Sequence, residues 1–193
     1  SPSDSPSSSP SSSPSSSPSS SPSSGSTLAE WILSLDPLVY YKLDETSGTT
    51  ATNYGTLASA DGTYSGATLA QVAAPGGGLA PLFDGVNDDV NMLSASLTTA
   101  FDGSLFTFLV WGKVYDAGVW TDATSRYLFR MASSGSTNYI FLQRTITNNM
   151  LRLQYYAGGG KAFESTVIGG STDWHLFTVT VDYAGNAFKF YID

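Results

Sequence analysis

The sequence predicts an all-β sandwich of antiparallel strands over residues 27–193, carried on a separate N-terminal segment at residues 1–26. Three observations predict it. From Thr27 onward the chain is rich in Gly, Thr, Ala and aromatics and poor in charge, which suits half-buried pleated surfaces better than a helical bundle. Several segments alternate apolar and polar residues with period two, as at Leu176–Asp182. Gly-, Asn- and Asp-rich turn signals separate those segments. About 167 residues are enough to bury a substantial core without staples.

Residues 1–26 are low in complexity. Pro falls at positions 2, 6, 10, 14, 18 and 22, with spacers that are nearly all Ser and a single charge at Asp4. Nothing there offers an apolar face to offset the entropy of folding, so a disordered or extended tail is expected. In polyproline II form it would span roughly 80 Å at ~3.1 Å per residue. Ser/Pro tracts of this kind also suit O-glycosylated stalks, with Ser7, Ser8, Ser9, Ser11, Ser12, Ser13, Ser15, Ser16 and Ser17 as candidate acceptors. A four-residue period further allows self-assembly through the repeat.

Leu28–Leu35 is the helix candidate, within a helical leader at 27–36. Leu28, Trp31, Ile32 and Leu35 follow helical spacing and Pro37 stops the run, so the helix is expected to lie as a lid on the sandwich. Val39–Leu43 reads as a strand followed by a polar turn. Between Ala51 and Gly78, Asp61–Gly66 contributes one strand between loops. Pro81–Phe83 and a strand opening at Val90 read as a hairpin closed by Asp84-Gly85. Phe106–Val114 is the strongest strand, apolar on both faces and expected to be covered on both sides. Tyr127–Met131, Asn138–Thr145 and Met150–Tyr156 are further strands.

With Asn148-Asn149 at a hairpin tip, Thr145 is expected opposite Arg152 and Gln143 opposite Gln154. One face then carries Ile140, Leu142, Arg144, Ile146, Leu151, Leu153 and Tyr155 and reads as core. The other carries Tyr139, Phe141, Gln143, Thr145, Arg152, Gln154 and Tyr156. It combines planar hydrogen-bonding groups with rings, which is chemistry that suits sugars. Gln143, Arg152, Gln154 and Tyr156, with Trp120, form the candidate ligand-binding set. Trp174–Asp193 closes the chain as a hairpin turning at Tyr183–Asn186.

Four segments resemble laminin-G-like (concanavalin A-like) domains in the family's order. They are Pro37-Leu-Val-Tyr-Tyr-Lys-Leu-Asp-Glu-Thr-Ser-Gly-Thr-Thr-Ala51, Phe83-Asp-Gly-Val-Asn-Asp-Asp-Val90, Phe106-Thr-Phe-Leu-Val-Trp-Gly-Lys-Val114 and Trp174–Asp193. The second is similar to the signature FDGxxDxV. Tyr41-Lys42 departs from the Trp-Arg usual in the first. The resemblance implies a two-sheet antiparallel jelly roll of the kind found in bacterial surface and phage tail proteins. It also implies one or two strands after Asp193, so a C-terminally incomplete sandwich with an open sheet edge is expected. The family commonly binds calcium at the sandwich rim, which makes Asp84, Asn87, Asp88 and Asp89 the candidate donors, with Asp44 as a further one.

Composition limits the chemistry. The formal net charge is −8 with eight Lys and Arg, so there is no basic stripe for nucleic acid. No apolar run approaches the length of a membrane span. There is no Cys, hence no disulfide and no thiolate metal site, which is compatible with export. The chain opens in mid-repeat without Met or a signal peptide and reads as a fragment or processed product. Glu30, Glu45 and Glu164 are the only Glu, and none sits in the E-x-D-x-x-E strand pattern that glucanases of the resembled fold use; an Asp-based pair stays open, although Asp182 and Asp84 read as turn residues. A Ser-His-Asp triad would have to use His175, the only His, which reads as a packed or capping residue at a strand start. The expectation is a non-catalytic recognition or adhesion module, extracellular on a cell or virion surface, binding glycans or surface proteins. The alternatives are a subunit of a glycosylated extracellular fibre and a phage tail receptor-binding component.

Overall fold

The computed structural model describes residues 27–132, 138–146, 150–156, 160–166, 170–185 and 187–193, with 160–166 described by backbone alone. The Ser/Pro segment with its candidate serines, and the Asn148-Asn149 tip, lie outside the described residues. Along the chain come α1 (Leu28–Leu33), β1 (Thr50–Ala51), β2 (Gly62–Ser65), β3 (Thr68–Ala73), β4 (Leu79–Leu82) and β5 (Asp89–Asn91). They are followed by α2 (Ala95–Ala100), β6 (Leu105–Gly112), a 3-10 turn at Ala117–Trp120, β7 (Arg126–Ala132), β8 (Tyr139–Arg144) and β9 (Met150–Tyr156). Then come β10 (Gly160–Thr166), β11 (His175–Asp182) and β12 (Ala187–Ile192).

Two antiparallel sheets make the body of the fold. One runs β10-β9-β8-β7 and the other β12-β11-β6. Their facing side chains form one core, because alternation puts every second residue of each strand on the same side. Ile140 and Leu142 from β8, Leu151 and Leu153 from β9, Phe177, Val179 and Val181 from β11 and Phe188 from β12 are buried together. Rings join the layers: Phe108 of β6 lies 4.0 Å from Phe129 of β7, and Tyr155 of β9 lies 5.6 Å from Phe188. Within the second sheet, Val179 sits between Phe108 and Phe190, and Val181 between Phe106 and Phe188, as cross-strand pairs on the inner face. Two smaller sheets, β1-β2-β5 and β3-β4, come from the first half of the chain.

Several local expectations are corrected. The helix forms because Thr27 and Glu30 make a reciprocal capping box, but it ends at Leu33 and buries none of its residues, with Trp31 exposed. The segment Val39–Leu43 makes a single bridge, Tyr41 to Asn53, instead of a strand. Its hydrogen bonds go to a compact loop, where the Asn53 side chain accepts from Tyr40 N–H and Leu38 O accepts from Leu57 N–H. Gly55 permits this approach, since a Cβ there would lie 2.6 Å from Leu38 O.

The expected hairpin through Asp84-Gly85 does not form, because β4 pairs with β3 and β5 pairs with β2. The turn joins two sheets instead, with Gly85 at φ +74°. Thr68–Ala73, α2 and β10 are additional elements. The outer face of β6 is open, not covered: Leu105 is 73% exposed and Leu109 47%. Register in the β8–β9 hairpin differs by two residues from the expected one, with Gln143 opposite Arg152 and Phe141 opposite Gln154. A shift of two preserves the faces, so the division into core and outer sides stands. Only the residues past the strand end change sides, Thr145 being buried and Ile146 exposed.

Candidate functional site

The outer face of the four-stranded sheet carries a ledge of rings and polar groups. Tyr139 is its hub. Its ring runs nearly parallel to Phe141, 5.6 Å away at 13°, and to Tyr156 on the neighbouring strand, 5.6 Å away at 16°. Phe141 meets Tyr127 of β7 edge to face at 5.4 Å. The row therefore crosses three strands in the order Tyr156, Tyr139, Phe141, Tyr127. Tyr127 and Tyr156 are exposed, while Tyr139 and Phe141 are half-buried. Gln154 donates to the Tyr139 hydroxyl at 3.0 Å, which fixes the amide beside the rings. Gln143 and Arg152 are direct cross-strand partners on the same face, and both are half-buried. Arg130, exposed, is paired with Phe141, and the register sets Glu164 of β10 opposite Arg152.

Four of the five candidate ligand residues, Gln143, Arg152, Gln154 and Tyr156, are thus brought onto one surface. Trp120 is not. It is 4% exposed and packs in the core, donating its indole N–H to the Ser171 carbonyl at 2.8 Å. The ledge also contains Tyr127 and Arg130, which sequence alternation leaves unassigned. A bulge between Tyr127 and Phe129 resets the facing of β7, and period-two reading has no signal for a bulge.

The end of the ledge sheet is fastened by a buried cation. Arg144, 3% exposed, donates to Trp120 O at 2.5 Å and Thr124 O at 2.6 Å, and its guanidinium lies 3.2 Å from Asp122. Asp122 also pairs with Arg126 at 2.6 Å. The Arg126 hydrogen bond, outweighing partial desolvation, pulls the Asp122 carboxyl down to about 2. These contacts hold the 117–124 loop against the mouth of the core.

The Asp84–Asp89 loop is arranged as a capped turn. Asp84 Oδ1 accepts from Val86 N–H at 2.7 Å, and Asp88 Oδ2 accepts from Asp84 N–H at 2.8 Å. Asp88 also packs against Gly66, where any Cβ would collide with its carboxylate. Asp89 belongs to β5, paired with Ser65. Calcium takes six to eight oxygens, and among the described residues no three acidic or imidazole groups gather to supply them.

A second polar cluster joins the start of β11 to the end of β12. His175 Nε2 lies 3.1 Å from Ser171 Oγ, and Nδ1 lies 3.4 Å from Asp193 Oδ1. Asp193 Oδ1 also accepts from Leu176 N–H at 2.9 Å. His175 thus contacts a hydroxyl and a carboxylate through its two nitrogens. Sequence order hides this, since Asp193 reaches His175 only through the β11–β12 pairing.

Fold and site together define an antiparallel all-β sandwich whose four-stranded sheet presents an aromatic, amide-lined outer face. No family model, no curated protein and no solved structure matches the chain. Among the described residues, no helix is long and apolar enough to cross a membrane.

Proposed function

We propose that the chain is a recognition module, a laminin-G-like jelly roll held away from a cell or virion surface by its Ser/Pro stalk, that binds carbohydrate across the ledge. The observation that supports this reading most is the row Tyr156, Tyr139, Phe141, Tyr127 with Gln154 fixed beside it. Rings offer apolar faces to the C–H side of a sugar, and planar amide and guanidinium groups match its hydroxyls in pairs. A row across strands suits an extended saccharide better than a single monosaccharide. Glycan-array binding by the purified chain tests the reading. Hits lost in Tyr156→Ala, with the fold intact by circular dichroism, support it, and an array without hits above a ligand-free control sinks it.

A fibre subunit is the second reading, favoured by the strict four-residue period of Pro over residues 2–22. Filaments in electron micrographs that vanish when residues 1–26 are removed would select it. Calcium enters only if Asp84 and Asp88 exchange their backbone N–H partners for the ion. Calcium-dependent stabilisation that Asp88→Asn abolishes is the sign of that exchange.

A further inference from the structure

We propose that Ser171, His175 and Asp193 form an acyl-transfer site that hydrolyses small carboxylic esters, separate from the ledge and independent of the recognition reading. The three side chains have the connectivity of a nucleophile, a base and the group that orients the base. Asp193 Oδ1 lies 3.4 Å from Nδ1, and with the imidazole proton on Nδ1 the Nε2 lone pair faces Ser171 Oγ at 3.1 Å. That is within the reach a general base needs. Asp193 is held in turn by Leu176 N–H and by the end of the β11–β12 ladder.

Ser171 is fixed on several sides. Its carbonyl accepts from the buried Trp120 indole at 2.8 Å, and its Oγ accepts from Asp173 N–H at 3.0 Å. Ser171 Oγ also donates to Asp173 Oδ2 at 3.3 Å, so that carboxylate competes with Nε2 for the hydroxyl proton. The residue before it, Gly170, has φ +78°, so the chain turns sharply into the serine. Ser171 is half-buried and His175 has a side-chain exposure of 15%, so the hydroxyl meets solvent while the base is sheltered.

The chemistry balances with water as the only co-reactant. Ser171 Oγ forms a bond to the ester carbonyl carbon as its proton passes to Nε2, and the carbonyl electron pair moves onto oxygen. Collapse breaks the bond to the leaving alcohol, which takes the proton from Nε2. A water molecule, deprotonated by Nε2, then attacks the acyl-serine, releases the carboxylic acid and restores the Ser171 hydroxyl. A site on an open turn suits a short acyl group such as acetyl. The Asp173 carboxylate opposes negative charge beside Oγ, which gives the proposal a test with a definite sign.

The experiment uses the 193-residue chain with a fluorophosphonate probe and p-nitrophenyl acetate. Peptide mass mapping is expected to find the phosphonyl group on Ser171. Ester hydrolysis is expected to fall about 10²-fold in Ser171→Ala and in His175→Asn, and to rise in Asp173→Asn. As a positioning residue, Asp193 is expected to act on kcat: Asp193→Asn lowers it with KM unchanged, and Asp193→Glu recovers part of it. A probe that leaves Ser171 unmodified overturns the proposal on wild-type protein alone, even where a variant fails to fold. Equal hydrolysis by wild type and a folded Ser171→Ala overturns it as well, and either failure leaves the ledge reading untouched.

Discussion

Replacing Tyr139 tests the ledge at its hub. Tyr139→Ala removes two ring pairs, to Phe141 and Tyr156, and the acceptor of the Gln154 amide. Aromatic pairs contribute roughly 0.5–1.5 kcal/mol each and a neutral hydrogen bond about 1 kcal/mol, so the loss of stability should be about 2–4 kcal/mol. Tyr139→Phe keeps both ring pairs and should lose about 1 kcal/mol or less. Urea unfolding followed by fluorescence reads this as a lower midpoint with an unchanged slope. If the rings bind the ligand as a unit, Tyr139→Ala should also weaken binding to the strongest array ligands at least tenfold, a step of about 1.4 kcal/mol. A folded Tyr139→Ala that binds as wild type would refute the reasoning. So would Tyr139→Phe as unstable as Tyr139→Ala, because the hydroxyl and not the rings would then organise the face.

Two further predictions concern how the fold is held. Arg144→Met keeps much of the buried volume but removes donors to Trp120 O and Thr124 O, each bond from a charged donor being worth roughly 1.5–3 kcal/mol. Part of that is offset because no charge need then be buried, so a net loss of about 2 kcal/mol is expected, with the 117–124 loop becoming sensitive to protease. At Glu45, burial raises the carboxyl, but hydrogen bonds from Thr52 N–H and the Tyr64 hydroxyl leave it below its ordinary value of 4.5. A depressed carboxyl contributes stability above its unfolded pKa and loses it as pH falls through the folded value. Urea midpoints should therefore drop more between pH 6 and pH 3 in wild type than in Glu45→Gln, and equal drops would remove Glu45 from the acid limb.

What could be read in the sequence was parity. The alternation in Tyr139–Arg144 and Met150–Tyr156 separates core from ledge, and that division survives a two-residue error in register because side chains repeat every second residue. The register itself is set where Thr145 N–H donates to Met150 O, two residues away from the expected pairing. Trp120 was misplaced for a different reason. A lone indole in a polar loop looks like a stacking surface, whereas its burial depends on Arg144 and Ser171, 24 and 51 residues away. Likewise, β-propensity at Val39–Leu43 was real, but its ladder partner was replaced by the Asn53 side chain. Tertiary partners of this kind leave no local signature.

Charge placement argues for one feature of the ligand. The chain is strongly acidic, yet all four Arg (Arg126, Arg130, Arg144 and Arg152) lie in β7, β8 and β9, and Lys161 lies in β10. Glu164 is the only acid in those four strands. Arg130 and Arg152 stand on the ledge face, paired across strands with Phe141 and Gln143. A guanidinium binds a carboxylate through two parallel hydrogen bonds, which a neutral hydroxyl cannot match. Acidic saccharides should therefore outrank their neutral counterparts on the array. Their advantage should shrink as salt rises from 0.01 M to 0.15 M, because the Debye length falls from about 30 Å to about 8 Å and surface charges are screened. Arg130→Gln should narrow the gap between acidic and neutral ligands while leaving neutral binding in place. If the gap persists in that variant, or if neutral ligands lead from the start, the rings alone govern the choice, and the arginines serve the sheet and not the ligand.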